Sequence, residues 1–367
     1  MKRIFSYLLG FLGMLLFAVP AFAQGQRVYV ANSADNTISV IDSSTNTVIK
    51  TIPVGNSPFG FAILPDGSRV YVNNYSDNTI SVIDTSSYSV IATIPVGVNP
   101  HGPMTTDLTG QHVYVADSGS KSVSVIDTAT NTVVATIPVG LYPRQTVLSP
   151  DGTKVYVPNS GDSDVSVIDV ATNAVINTLT NVGSAPTSVV ITPDGSRLYL
   201  ADGGTSSVGV VDLNSNTFIA SIPVNLGLAA VTMSPDGSKV YASNNNCCSV
   251  GAGNGTVSVI NTATNTVSSV ITVGPVPNYL DITSDGAFVY VPNAGSVVDP
   301  SSNTVSVVNT STNTVVATVT VGVQPYSVAI EKTPMPPPNQ PPSINPISNA
   351  ILSEGSSYLV AGSFTDS

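Results

Sequence analysis

Tryptophan is absent from this sequence, and histidine and cysteine occur only twice each. Two histidines, His101 and His112, are too few for a multi-histidine copper or zinc centre. The two cysteines, Cys247 and Cys248, are adjacent, so they cannot staple a chain of 367 residues. Between themselves they close only a strained ring. The pair reads as loop, with a vicinal disulfide or an intermolecular link as alternatives and too few neighbouring ligands for a metal. A c-type haem motif is missing. Glutamate is limited to Glu331 and Glu354, and all charged residues together make up 9% of the chain, with a net charge of −11. The 11 lysines and arginines are scattered, and an acidic surface repels phosphate, which argues against nucleic acid as a partner. These absences leave no catalytic residues, metal site or cofactor to expect.

What is present begins with a targeting segment. Lys2 and Arg3 precede a largely apolar stretch from Ile4 to Pro20, and Ala21-Phe22-Ala23 forms a small-residue cleavage site. Residues 1–23 therefore read as a signal peptide, and the chain is expected to be secreted or held at the cell surface, with the periplasm as the alternative. No later run is long and apolar enough to span a bilayer, so no membrane span is expected after cleavage.

Self-comparison then shows one unit repeated seven times. A Val-Tyr-Val-like strand recurs at Tyr29, Tyr71, Tyr114, Tyr156, Tyr199, Tyr241 and Tyr290, at spacings of 42 or 43 residues and a final 49. A Ser-Val-Ile-Asp-like segment ends at Asp42, Asp84, Asp127, Asp169, Asp212, Asn261 and Asn309, and an Ile-Pro-Val-Gly-like segment follows it. Pro-Asp-Gly turns, as in Pro65-Asp66-Gly67, punctuate most units. Each unit reads as four short strands rich in Val, Ile, Thr and Tyr: A (Phe61–Leu64), B (Arg69–Val72), C (Thr79–Ile83) and D (Val90–Val96). Four strands at this period make a propeller blade. Pro53, Pro95, Pro138 and Pro223 fall in strand D, and proline belongs on an edge strand because it cannot donate to a ladder.

The first unit starts at strand B, and after the seventh strand D the chain offers a lone strand A, Gln324 to Ile330. The fold class expected is all-β: a seven-bladed β-propeller of four-stranded antiparallel blades, the C-terminal strand A completing the first blade and closing the ring. The propeller occupies residues 24–331. Residues 332–342 are a Pro-rich linker, and 343–367 resemble the truncated start of an Ig-like or PKD-like module, too short for a sandwich.

Tyr29-Val30-Ala31-Asn32, Val40-Ile41-Asp42 and Thr51-Ile52-Pro53-Val54-Gly55 resemble the YVTN-type β-propeller repeat family. The resemblance runs from about Arg27 to Glu331. It implies the propeller fold and is weak for function, since related propellers occur in surface proteins, periplasmic redox enzymes and lactonases.

Blade topology places the A–B and C–D turns on one face and the D–A and B–C loops on the other. Aspartates of the first face have turn chemistry around them and read as backbone acceptors rather than as a cation ring. Asp162 and Asp164 offer a short acidic cluster without a full calcium-loop pattern. The second face varies. After the D–A proline come Phe59, His101, Arg144, Thr187, Asn278 and Tyr326, and the B–C loops of units six and seven are enlarged. Phe59, His101, Arg144, Asn278 and Tyr326 are therefore the candidate ligand-binding residues, His101 and Arg144 being suited to a carboxylate or phosphate. The expectation is a non-enzymatic binding or display module for an unknown protein, glycan or small molecule. The alternatives are a lactonase-like hydrolase or lyase in the central funnel, or a redox-protein subunit.

Overall fold

The computed structural model describes residues 25–245, 253–295 and 303–332. The signal segment, the Pro-rich linker, the Ig-like tail, Cys247 and Cys248, and much of the two enlarged B–C loops lie outside the described residues.

Seven four-stranded antiparallel sheets form seven blades. Blade 1 joins the C-terminal strand Pro325–Ile330 to Arg27–Asn32, Thr37–Asp42 and Thr47–Pro53. Val28 pairs with Ile330 and Val30 with Val328, so the expected closure is present. At the seam, Val28, Val30, Ile41, Val328 and Ile330 of blade 1 pack on Tyr290, Val305, Val307 and Val319 of blade 7. The seam is thus an apolar contact of the same kind as that between blades 1 and 2.

Strands B and C are buried on both faces because each sheet is covered by a neighbour on either side, as in Arg69–Asn74 and Thr79–Asp84. Strand D is the outer edge, exposed except for one residue near its end such as Ile52 or Ile94. Pro53, Pro95, Pro138 and Pro223 are the last residues of these edge strands. Strand A begins earlier than its apolar run suggests: in blade 2 it is Pro58–Ile63.

The turn chemistry is as expected. The Asp66 carboxylate accepts the Ser68 backbone N–H at 2.9 Å, and Gly67 takes a φ of +70°, which a Cβ disfavours. Asp84 accepts from the Ser86 hydroxyl and from the Ser87 and Ser86 amides, and these bonds, the Ser86 hydroxyl foremost, lower its pKa. Asp162 and Asp164 serve different partners, the Leu141 N–H and the Asn159 amide.

Blades are also stapled at their tyrosines. The Tyr71 hydroxyl lies 3.1 Å from Asn131 Oδ1 in the next blade's C–D turn, Tyr199 is 2.8 Å from Asn265, and Tyr290 is 2.8 Å from Asn46 across the seam. Blade 2 carries Tyr88 at the position of these asparagines, and the buried Tyr29 hydroxyl that would reach it has no hydrogen-bond partner.

The inner ring is less regular than the repeat implies. Strand A has six residues in blades 1, 2, 5 and 6, the last two being Pro186–Ile191 and Leu228–Met233. In blades 3, 4 and 7 it shrinks to Thr105–Thr106, Val147–Leu148 and Asp281–Ile282, preceded by isolated bridges at Pro100, Pro143 and Pro277. Between bridge and strand, backbone amides leave their own blade for a neighbour. Met104 N–H donates to Phe61 O, Thr146 N–H to Pro103 O, and Tyr279 N–H to Tyr326 O.

Candidate functional site

The residue after each D–A proline stands at the entrance to the axis, on the face of the D–A and B–C loops. Four of the five candidates meet there. Phe59 stacks on Tyr326 with centroids 4.2 Å apart and 15° between the planes. His101 meets Phe59 edge-on at 5.4 Å. Arg144 Nη1 lies 3.2 Å from His101 Nε2. Asn278 is buried with its backbone N–H on the Pro292 carbonyl, and its side chain makes none of these contacts. Tyr75, from the B–C loop of blade 2, joins the cluster 4.8 Å from Phe59 and 5.9 Å from His101.

The protonation of His101 follows from its two partners. Its Nδ1 is 3.3 Å from the Arg144 carbonyl oxygen, which can only accept. Its Nε2 faces a guanidinium nitrogen, which can only donate. The imidazole is therefore neutral, with the hydrogen on Nδ1. Burial, and secondarily the Arg144 charge, push its pKa down to about 3. Both ring nitrogens are committed, so His101 positions Arg144 and is not free to act as a base. Arg144 Nε donates to Ser160 Oγ at 2.9 Å. No carboxylate among the described residues pairs with Arg144. The His101 ring that it bonds is itself packed against the Phe59, Tyr75 and Tyr326 rings, on a chain of net charge −11.

Tyr279 closes the axis beneath this cluster. It comes from blade 7, yet its hydroxyl donates to Thr187 O of blade 5 at 3.1 Å. Its ring lies 6.5 Å from His101 of blade 3 and 5.9 Å from Tyr326 of blade 1. Only a side chain lying across the axis can reach blades 1, 3 and 5 together. Space for it exists because the equivalent positions of the other blades are mostly small: Gly60, Gly102, Ser188, Ala230 and Ser327. The approach at Gly60 is so close that a Cβ there would collide with the Gly102 carbonyl.

Below Tyr279, on the side of the A–B turns, lies a cavity of about 470 Å³. Tyr279 is thus the floor of the aromatic cluster and the roof of this chamber. Sequence reasoning singled out neither Tyr279, Tyr75 nor the chamber. A lone Tyr in a column of small residues is the signal that would have found Tyr279. Among the described residues no group of three or more His, Cys, Asp or Glu is placed to hold a metal ion.

Fold and axis together define a seven-bladed β-propeller with a plugged centre. The family model described as YNCE-like beta-propeller matches residues 12–111. A relative, the PE-PGRS family protein PE_PGRS18 of Mycobacterium tuberculosis, is 51% identical over 41 residues, close to one repeat, covering 11% of this chain and 9% of that protein. Among solved structures, a functionally unknown protein from Desulfotomaculum acetoxidans superposes with a TM-score of 0.70 at 18% identity, over 83% of this chain and 99% of that one. A Bacteroides uniformis protein described as a candidate 6-phosphogluconolactonase gives 0.68 at 18%, over 84% and 100%. Hydrazine synthase of Kuenenia stuttgartiensis gives 0.64 at 22%, over 75% and 95%. At these identities the likeness concerns the fold alone.

Proposed function

We propose that this chain is an exported, non-enzymatic binding module that takes a carboxylate- or phosphate-bearing partner on the face of the D–A and B–C loops. The observation that carries this reading is Arg144. It is held in place by His101 and Ser160 and lacks a carboxylate partner among the described residues, and the His101 ring that bonds it meets the Phe59, Tyr75 and Tyr326 rings edge-on. Arginine beside aromatic rings is the commonest composition of a binding hot spot, and a guanidinium matches planar anions in two-point contacts. Catalysis is the weaker reading of the same cluster, because its one imidazole has both nitrogens occupied.

The test uses benzoate and phenyl phosphate as probes, with benzyl alcohol as the neutral control, titrated calorimetrically into the full chain. The anions should bind more tightly than the alcohol. Arg144→Ala should weaken them by about tenfold or more, equivalent to 1–2 kcal/mol. Asp151→Ala and Asp194→Ala, on the opposite face, should leave them unchanged. Loss of binding only in the opposite-face variants would reverse the face assignment, and turnover of a lactone would replace binding with hydrolysis.

A further inference from the structure

The chamber beneath Tyr279 has features of a built ligand site that are independent of the Arg144 cluster. Its volume, about 470 Å³, lies in the range of small-molecule pockets. Its wall is largely apolar, with Phe61, Met104, Val190, Val231, Leu280 and Val328 contributing. It extends along the C-terminal halves of the inner strands to Pro65 and Lys332, so its mouth lies among the A–B turns.

Most polar groups in this wall are already committed. Gln145 spans to blade 5, its carbonyl accepting the Val189 N–H at 3.1 Å and its amide donating to the Val189 carbonyl. The Ser188 hydroxyl is shared with the Val231 backbone. Asp281 differs. Its Oδ1 accepts the Ile282 N–H at 2.8 Å and its Oδ2 the Ile330 N–H at 3.0 Å, which fixes the carboxylate while each oxygen keeps lone-pair capacity. It is the one carboxylate lining the chamber. Lys332 also lines the chamber, at the rim, but no ion pair within 4.0 Å joins the two. Burial raises the Asp281 pKa, with Lys332 opposing the shift, as expected of an enclosed carboxylate whose charge is incompletely matched.

We propose that this chamber binds a small apolar amine, the ammonium group meeting Asp281 and the hydrocarbon body filling the space under Tyr279. An apolar wall with a single fixed carboxylate selects for such a molecule. A neutral analogue forgoes the charge-assisted bond, and a carboxylate analogue meets a like charge. The interruption of blade 7 supplies the geometry. Asp281 opens one of the two-residue inner strands, immediately after the segment whose backbone has crossed to blade 1.

The experiment titrates the full chain with hexylammonium, 1-hexanol and hexanoate by calorimetry at neutral pH. Hexylammonium should bind at one site, at least tenfold more tightly than 1-hexanol, with hexanoate weaker still. Asp281→Asn should bring hexylammonium and 1-hexanol to within about twofold of each other. Lys332→Ala removes a competing cation just beyond the last strand without touching the strands, and should tighten hexylammonium threefold or more. Arg144→Ala should change none of these values, which separates this site from the one above Tyr279. Equal binding of the three probes, no saturable binding, a preference retained in Asp281→Asn, or an unchanged or weaker affinity in Lys332→Ala would overturn the proposal.

Discussion

Four inner strands of this ring are regular and three are interrupted, and the difference decides which inner strands bring charged side chains to the axis. In blades 1, 2, 5 and 6 the inner strand pairs with its own blade over six residues. In blades 3, 4 and 7 only two residues form a strand, and amides between bridge and strand bond to a neighbouring blade instead. The interrupted inner strands and the bridges before them contribute His101, Arg144 and Asp281 together with Tyr279, the side chain that plugs the axis, while Lys332 follows the regular strand of blade 1. A regular ladder fixes alternating side chains against neighbouring sheets. Releasing it for a few residues lets side chains turn toward the axis, while the displaced amides find partners across the blade boundary.

The largest effect should come from removing a regular strand. Deleting Gln324–Glu331 strips blade 1 of its inner strand and exposes the seam, with Val328 and Ile330 among the buried side chains lost. At roughly 1.5–3 kcal/mol each for those two alone, the loss should exceed about 4 kcal/mol, read by chemical denaturation. An unchanged midpoint would mean that the ring does not depend on this seam.

Next in size is the plug. Tyr279→Ala should cost about 3–5 kcal/mol, as other large-to-small aromatic substitutions in cores do. At the same register of a regular strand, Ser327→Ala should be neutral or slightly stabilising, since the buried Ser327 hydroxyl has no partner. Equal effects at the two positions would erase the distinction between the strand types.

A third test concerns the B strand beside the interrupted segment of blade 3. Asp117, bridged to Pro100, is fully buried where blades 1, 2, 4, 6 and 7 carry Asn, and burial raises its pKa to about 6. Because the folded pKa exceeds the unfolded one, its stabilising contribution is complete below about pH 4 and is lost as pH rises through about 6. Asp117→Asn should therefore raise stability at pH 7 by on the order of 1–3 kcal/mol and leave it little changed at pH 4. The variant's melting temperature should vary less over that interval than the parent's. A gain at pH 4 as large as at pH 7 would show that charge burial is not the cause.

The smallest effect lies away from the axis, where blades with equal inner strands should differ only in their staples. Tyr71→Phe should cost about 1 kcal/mol through the lost bond to Asn131, whereas Tyr29→Phe should cost almost nothing. Equal costs would remove any role for the tyrosine–asparagine contact.

The blades and their closure were legible in the sequence because they rest on local signals repeated seven times: Tyr-centred strands, Asp and Gly turns, and edge prolines. The lone strand at Gln324 to Ile330 announced the seam by the same arithmetic. The face on which Phe59, His101, Arg144 and Tyr326 gather was also readable, since blade topology assigns the loops. The exchange of hydrogen-bond partners in three inner strands was not readable. It is a negotiation between neighbouring blades, and residues such as Met104 or Thr146 look locally like any other strand residue. Asn278 was chosen by register alone, while the residue after it, Tyr279, carries the contact. Tyr75 lies in a B–C loop rather than after a D–A proline, and Asp281 lies in a strand rather than in one of the Asp turns, so neither carries the local signal that marks the other site residues.

The ion pair between Arg27 and Glu331, at 3.3 Å, lies where the first and last strands of the ring meet, beside the A–B turns of blades 7 and 2. Both ends of the described ring therefore lie on the face onto which the Asp281 chamber opens, and the Arg144 cluster lies on the opposite face. The two openings of the axis thus differ in kind, one beside the seam that joins the ring's first and last strands, the other ringed by loops that run within the chain.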